Sequence, residues 1–250
     1  QVVTTGALCL TALAVWGIEA RVTARPEPTS APFLEGLAEV WSEPRARTFT
    51  IFVFLSMTAY FMQELILEPY AGLVFGFSPG QSASLSGAQN GGVFLGMITV
   101  GIAGTALRLG SLRGWVVAGC LGSAAALTVI SLLGSLGPGA PLVPAVVAMG
   151  FFNGMFAVAA IGSMMALASE GRSAREGTRM GLWGAAQAIA AGFGGLMGAA
   201  AADLLRTVMA DAPAFGTVFV AEAALFLVAA ALAYRMMHQP TAAPAMVPGE

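Results

Sequence analysis

Long apolar stretches alternate with short polar segments along most of the chain. Seven stretches are long enough to form membrane-spanning helices, at residues 1–18, 48–75, 85–107, 114–135, 141–168, 179–204 and 214–236. The hydrocarbon core of a bilayer is about 30 Å thick and requires about 20 predominantly apolar residues per helix. The pattern therefore predicts an all-α integral membrane protein, a helical bundle with about seven transmembrane helices.

The segments that connect these stretches differ in charge. All 11 basic residues are arginines. Ten of them are distributed over alternate segments, which lie on one side of the membrane: Arg21, Arg25, Arg45, Arg47, Arg108, Arg113, Arg172, Arg175, Arg179 and Arg235. The segments on the other side contain Arg206 alone. Because cytoplasmic loops carry an excess of Lys and Arg, this distribution predicts a multi-pass protein whose arginine-rich segments and C-terminus lie in the cytoplasm.

Residues 19–47 predict a cytoplasmic linker between the first two spans. Its first part is rich in Pro, Ser and Thr, which is typical of irregular structure. Over about 32–43 the apolar residues share one helical face, which predicts an amphipathic helix on the membrane surface or against the bundle: Phe33, Leu34, Leu37, Val40 and Trp41. Residues 237–250 contain three prolines and no apolar periodicity, so we expect a disordered cytoplasmic tail there.

The chain begins with Gln1 rather than Met, and it opens directly on an apolar run without a cleavable signal pattern. We therefore expect a further N-terminal portion of the protein to precede it. Residues 1–18 would then be the last helix of a first half, and residues 48–236 would form a six-helix second half. The whole would be a transporter-like fold of six plus six helices.

The composition excludes several classes of protein. The chain is 57% hydrophobic and only 10% charged, whereas soluble domains are about 25% charged. This excludes a soluble enzyme, and the net charge of -2 provides no basic surface for nucleic acid. The single histidine, His238, lies beyond the last span, so we expect no catalytic triad and no metal site. Cys9 and Cys120 lie in apolar runs and are interpreted as packing residues.

Polar side chains inside the spans are the main candidates for a functional site, because burying them in a bilayer is costly. Gln63, Glu64 and Glu68 lie in the second span, and the i,i+4 spacing places both carboxylates on one helix face. Three further polar residues lie at similar depth in neighbouring spans: Gln89, Asn90 and Glu222. We predict a polar pocket in the outer half of the bundle. The alternative is that the two glutamates only reach water at a helix end.

Three other features of the spans carry predictions. Pro69 is expected to kink or end the second span, with an apolar turn after it. Asn153, near the middle of its span, predicts an interhelical hydrogen bond. Glycines spaced four apart, such as Gly92 and Gly96, predict close helix packing.

The segment before the sixth span combines charges of both signs: Arg172, Arg175, Glu176 and Arg179. It resembles the charge-relay loops that link helices in rocking transporters. A simple anchor on the cytoplasmic side explains the arginines nearly as well, so both interpretations stay open.

Three stretches resemble the signatures of the PucC/LhaA family, bacteriochlorophyll-delivery proteins within the major facilitator superfamily. They are residues 63–76 (QELILEPYAGLVFG), 85–97 (LSGAQNGGVFLGM) and 175–188 (REGTRMGLWGAAQA). The resemblance runs through most of residues 48–200. Glu64 stands where the family commonly has Asp, and Ala71 stands where it commonly has Gly.

The resemblance implies a major-facilitator-like bundle in the inner, intracytoplasmic photosynthetic membrane of a bacterium. It implies a light-harvesting complex assembly factor that binds or delivers bacteriochlorophyll or chlorophyll, antenna polypeptides, or both, beside the reaction-centre core complex. By this analogy the residues that contact pigment or polypeptide are Gln63, Glu64, Glu68, Tyr70, Gln89, Asn90 and Glu222. Because the spans contain no histidine, a pigment magnesium would take a carboxylate, an amide oxygen or water.

Two other functions stay open from the residues alone. In a proton-coupled secondary transporter, one of the three acidic residues would take up a proton: Glu64, Glu68 or Glu222. In a structural subunit beside a photosynthetic complex, the polar residues would serve packing only. None of these three functions is enzymatic.

Overall fold

The architecture is that of a computed structural model, which describes residues 5–6, 9–11, 13, 33–169 and 176–236. The chain divides into two compact units, residues 1–33 and 34–250, and the bundle described below belongs to the second. Most of the first predicted span lies outside the described residues. So do the Pro-rich part of the linker and the predicted tail.

The described chain after residue 32 is built from helices. These are α1 (Phe33–Ser42), α2 (Pro44–Phe75), α3 (Pro79–Gly101), α4 (Leu112–Gly134), α5 (Leu142–Ser169), α6 (Glu176–Arg206) and α7 (Asp211–Met236), with a π-helical turn (Ile102–Ala106) directly after α3. The prediction of an all-α bundle is confirmed. α1 lies where the sequence predicts an amphipathic helix.

Five of the helices in the described ranges are long and apolar enough to cross a membrane: α2, α4, α5, α6 and α7. The chain is therefore a multi-pass membrane protein. α3 has 23 residues and is long enough as well, but its first half is rich in Gly, Ser, Gln and Asn. α3 packs along α5 within the same bundle.

α2 continues through Pro69 and ends only at Phe75. Of the two outcomes expected at Pro69, an end of the span with a separate apolar turn after it does not occur. Tyr70, directly after the proline, is fully buried, and its packing stabilises the last turns despite the lost backbone hydrogen bond. The helix ends where Gly76 adopts a φ of 72°, a left-handed conformation that costs glycine little.

The helices pair in a pattern that relates two sets of three. α3 packs along α5, and α6 packs along α2 in the same way. α4 packs on α5, and α7 correspondingly packs on α2. α4 and α7 also pack on each other. Exchanging α2, α3 and α4 for α5, α6 and α7 preserves these pairs. Because each set contains three helices, the two sets run in opposite directions through the membrane. This is the plan of inverted-repeat transporter folds.

Glycines allow α3 and α5 to approach each other backbone to backbone. A Cβ on Gly92 or Gly96 of α3 would collide with the backbone carbonyl oxygens of α5. A Cβ on Gly150 or Gly154 of α5 would collide with those of α3. The prediction that the glycine pairs serve close packing is confirmed.

The two ends of the bundle differ in charge. α2, α4 and α6 begin at the end that carries Arg45, Arg113, Arg179 and Arg235, which we call the arginine-rich end. The turns 76–78, 135–141 and 207–210 lie at the other end, which we call the opposite end.

Candidate functional site

An exposed polar face runs along the seam between α2 and α3. The Ser86 hydroxyl of α3 donates a hydrogen bond of 2.7 Å to the Glu68 carboxylate of α2. One turn deeper on each helix lie Glu64 and Asn90, and both are exposed. The predicted i,i+4 alignment of the two carboxylates is thus present. We call Glu64, Glu68, Ser86 and Asn90 the carboxylate face.

The carboxylate face lies at different depths along its length. Glu64 lies 11 residues before the end of α2 and Asn90 lies 11 residues after the start of α3, so both are about 16 Å from the opposite end. α2 has 32 residues and is about 48 Å long, against a bilayer core of about 30 Å. In a centred α2, Glu68 lies near the core boundary and Glu64 lies about 7 Å inside it. In this placement Glu68 is closer to the water at the helix end than Glu64 is, and both interpretations of the carboxylates stay open.

The expected single polar pocket does not form, because neighbouring residues of a helix point about 100° apart. Gln63 points into the bundle and is 1% exposed, whereas Glu64 is on the outside. Glu222 is also inside, at 0% exposure. The polar candidates therefore separate into the carboxylate face and an interior group, with the backbone of α2 between them.

The interior group spans four helices at one level. Ser123 lies 11 residues before the end of α4, and Asn153 and Glu222 lie 11 residues after the starts of α5 and α7. Gln63 of α2 lies at the same depth within one residue. All four are therefore about 16–18 Å from the opposite end. We call Gln63, Ser123, Asn153 and Glu222 the polar layer.

Hydrogen bonding within the polar layer is incomplete. The Ser123 hydroxyl donates to Asn153 Oδ1 at 2.7 Å, which confirms the predicted interhelical hydrogen bond. Asn153 Nδ2, both side-chain polar atoms of Gln63 and both carboxylate oxygens of Glu222 are buried without a hydrogen-bond partner in the described part of the chain. An unpartnered buried polar group costs about 1–3 kcal/mol. The polar layer is therefore a second candidate site, separate from the carboxylate face.

Tyr70 and Gln89 belong to the packing of the bundle. The Tyr70 hydroxyl donates to the Ile130 carbonyl at 2.6 Å, and its ring packs edge-on against Phe219 with centroids 4.9 Å apart. The buried Tyr70 side chain is thus held inside the bundle, away from the carboxylate face. Gln89 is half-buried, and its backbone carbonyl lies against Gly150 of α5.

At the arginine-rich end, Arg179 of α6 forms an ion pair with Glu43, which immediately precedes α2. Its Nη2 donates to Glu43 Oε2 at 2.6 Å, and the Arg179 side chain is 9% exposed. Glu176 is exposed in the first turn of α6. Arg172 and Arg175 lie outside the described residues, so the predicted loop is represented here by its last two members.

The sequence interpretation did not single out Glu43 or Ser86 as site residues. Neither has a local sequence signal, because each acquires its role from a partner distant in sequence: Arg179 is 136 residues from Glu43 and Glu68 is 18 residues from Ser86. Within the described residues, no three His, Cys, Asp or Glu side chains come together to share a metal ion.

Comparison with known proteins gives relatives longer than this chain. The "Bacteriochlorophyll synthase 44.5 kDa chain" of Rhodobacter capsulatus is 67% identical over 252 residues, which cover 100% of this chain and 59% of the relative. "Protein PucC" of Rhodovulum sulfidophilum is 28% identical, over 78% of this chain and 43% of the relative.

A second protein of Rhodobacter capsulatus, the "Uncharacterized protein in puhA-bchM intergenic region", is 29% identical over 90% of this chain and 49% of its own length. No solved structure matches the chain. The model of the family described as "PUCC protein" matches residues 1–240. The chain thus belongs to the PUCC protein family.

Proposed function

We propose that the chain is part of a light-harvesting complex assembly factor in a photosynthetic bacterium, and that the carboxylate face contacts its cargo. The cargo is bacteriochlorophyll, an antenna polypeptide, or a pair of the two. Family membership and the names of the relatives support this proposal. The structural observation that carries it is the exposure of Glu64 at bilayer depth.

An exposed carboxylate at this depth calls for a partner, because insertion of an acidic residue near a helix centre costs about 2.5–3.5 kcal/mol. Carboxylate and amide oxygens are ligands of hard cations such as magnesium, and they also accept hydrogen bonds from a polypeptide. Beside them lies an apolar surface: Leu65 and Phe94 are 56% and 63% exposed. Gly87 and Gly91 leave the α3 surface flat, with nothing within 4 Å of an added Cβ. Such a surface suits a planar, largely apolar macrocycle.

The setting of this function also forms part of the proposal. The arginine-rich end lies in the cytoplasm, in agreement with the positive-inside rule. The protein resides in the photosynthetic membrane, near the antenna and the reaction-centre core complex, and acts without catalysis. The chain spans 59% of the length of the relative that is 67% identical to it, and we propose residues 48–236 as the second half of a longer bundle.

The carboxylate face is tested by Glu64→Gln and Glu68→Gln together, introduced into the full-length protein in a photosynthetic host. Gln keeps the side-chain size and removes the charge, so a cargo contact predicts at least a several-fold fall in antenna absorption per cell at equal protein level. The matched control is Asp203→Asn, which removes an exposed carboxylate of α6 near the same end of the bundle. Normal antenna levels in the double variant, or an equal fall in the control, would reject the role of the face.

The absorption spectrum of the purified protein then identifies the cargo. Pigment bands at fixed stoichiometry that vanish in the double variant indicate bacteriochlorophyll as the cargo. Absence of pigment with retained capture of an antenna polypeptide indicates the polypeptide.

A second candidate function, proton-coupled transport, is favoured by Glu222 alone. It is fully buried, has no hydrogen-bond partner among the described residues, and lies at the level of three other polar side chains. Proton uptake by proteoliposomes that depends on an added solute, and that is lost in Glu222→Gln, would support this function. Equal uptake by wild type and variant would exclude Glu222 as the coupling residue.

A further inference from the structure

We propose that a cavity at the arginine-rich end binds a phosphate-type oxyanion. The cavity has a volume of about 150 Å³ and lies between α2 and α6, with one wall from α5. We call it the α2–α6 cavity, and it is lined by Glu43, Arg45, Ala46, Phe49, Leu167, Arg179 and Trp183. The proposal does not rest on the carboxylate face or on the polar layer.

Two buried donors among the lining residues lack acceptors in the part of the chain that the structure describes. Arg179 uses Nη2 in the ion pair with Glu43, while its Nε has no hydrogen-bond partner there. The indole Nε1 of Trp183, one turn further along α6, also has none. The Arg179 side chain is 9% exposed and Trp183 is 1% exposed. Phe49 holds the indole edge-on, with ring centroids 4.7 Å apart. An oxygen-rich ligand would supply the acceptors that these two N–H groups lack.

The N-terminus of α2 contributes to the same cavity. Glu43, Arg45 and Ala46 line it, and Glu43 at the N-cap makes no side-chain cap hydrogen bond. Pro44, the first residue of α2, has no backbone N–H, so the first N–H groups of the helix are those of Arg45 and Ala46. The first backbone N–H groups of a helix have no partner within the helix, and the helix dipole favours an anion beside them. α2 is a helix of 32 residues, so this dipole is fully developed.

The size and the apolar part of the lining suit a substituted phosphate. Glu43 already forms an ion pair with Arg179, so a ligand would be recognised by the N–H donors and not by a surplus charge. The volume is far above the roughly 15 Å³ that one water requires, so a group of several heavy atoms fits. Phe49 and Leu167 add apolar contact, which tolerates the ester carbons of a substituted phosphate.

Two sources provide this chemistry at this place. The cavity lies where membrane-spanning helices begin, so the headgroup of an anionic phospholipid is within reach. Inorganic phosphate in the surrounding solution is the other source. Both present the same oxyanion to Arg179, Trp183 and the N-terminus of α2.

Binding is tested on the full-length protein in detergent, by thermal unfolding and by titration with three probes. These are short-chain phosphatidylglycerol, short-chain phosphatidylcholine and inorganic phosphate. We expect phosphatidylglycerol to bind at least tenfold more tightly than phosphatidylcholine, and to raise the melting temperature. Saturation by inorganic phosphate as well would identify the phosphate group itself as the ligand; no response to it would identify the lipid headgroup.

Three variants locate the site. Trp183→Phe removes one N–H donor but keeps an aromatic ring, and should weaken phosphatidylglycerol binding several-fold. Glu43→Gln removes the anion that competes for Arg179, and should leave binding as tight or tighter. Arg47→Gln is the control, because Arg47 is exposed on α2 at the same end but does not line the cavity. It should leave binding within twofold.

Each opposite result overturns the proposal. Equal affinity for phosphatidylglycerol and phosphatidylcholine would show that the cavity does not select an anion. The same holds if Arg47→Gln weakens binding as much as Trp183→Phe. Loss of binding in a folded Glu43→Gln variant would show that binding depends on the Glu43–Arg179 ion pair and not on the N–H donors of Arg179 and Trp183.

Discussion

The crossing of α3 and α5 allows the close approach of two helices to be measured with neighbouring residues. Gly91 and Gly92 are consecutive in α3. A Cβ on Gly92 would meet the backbone carbonyl oxygen of Val147 and lie 3.1 Å from the backbone nitrogen of Phe151, whereas a Cβ on Gly91 meets nothing within 4 Å. Backbone atoms cannot rotate away as side chains do. Gly92→Ala therefore has to separate the two helices.

The expected free energies follow from two terms. Extra volume in a packed interior costs about 1–3 kcal/mol. Ala in place of Gly inside a helix gains up to about 1 kcal/mol at either position. Gly91→Ala is therefore expected to be neutral or slightly stabilising, and Gly92→Ala to be destabilising. The difference between the two variants, about 1–3 kcal/mol, isolates the contact because the helix-propensity term cancels.

Reversible unfolding in mixed micelles of mild detergent and SDS, followed by circular dichroism, gives this difference directly. Both variants carry the same chemical change one residue apart on the same helix, so expression and detergent effects are matched. Equal unfolding midpoints for the two variants would refute the close approach of α3 and α5.

Three further predictions concern single contacts. Tyr70→Phe removes the hydroxyl hydrogen bond to the Ile130 carbonyl, which keeps its intrahelical donor, and should lower the free energy of unfolding in the same assay by about 0.5–1.5 kcal/mol. A double-mutant cycle on Ser123 and Asn153 should give a coupling energy of about 0.6–2 kcal/mol, and a coupling near zero would contradict the interhelical bond. Gly76→Ala places a Cβ at a φ of 72° and should cost about 1–2 kcal/mol; an unchanged unfolding midpoint would show that the end of α2 does not need this conformation.

The helices could be predicted closely because length and apolar content alone determine a span. The second span was predicted over 48–75 and α2 covers Pro44–Phe75; the last was predicted over 214–236 and α7 covers Asp211–Met236. Pro69 left open whether the helix would end there, because local propensity ignores burial. The packing of Tyr70 against α7, which no local pattern reveals, stabilises the helix on both sides of the proline.

The grouping of the polar residues was only partly predictable. Spacing along one helix correctly aligned Glu64 with Glu68, since an i,i+4 pair shares a face. Depth correctly placed Glu222 and Asn90 at one level. The depth of a residue does not determine the direction in which its side chain points, however. Gln63 lies inside the bundle, whereas Asn90 lies on its outer surface. Direction depends on how each helix is rotated in the bundle, which follows from packing between distant segments.

The two related crossings of the inverted repeat differ in their small residues. In the α3–α5 crossing, glycines of α3 lie against the backbone carbonyls of Val147 and Phe151 in α5. Three residues after each of these, Gly150 and Gly154 of α5 lie against backbone carbonyls of α3. In the α2–α6 crossing, Gly194 and Gly198 of α6 likewise lie against backbone carbonyls of α2. In α2, the positions three residues after the contacted carbonyls of Thr58 and Met62 are Phe61 and Leu65 instead of glycines.

The two crossings also differ in where they leave space. α3 and α5 meet closely at their glycines, and a cavity of about 460 Å³, lined by Gln81, Leu85 and Val143 among others, lies beside the starts of these two helices. Both the α2–α6 cavity and an apolar groove of about 320 Å³, lined by Trp41, Phe54 and Ile189 among others, lie along the α2–α6 crossing. The two related crossings thus differ at their centres, because glycines of both helices meet in one, whereas Phe61 and Leu65 of α2 lie beside the glycines of α6 in the other.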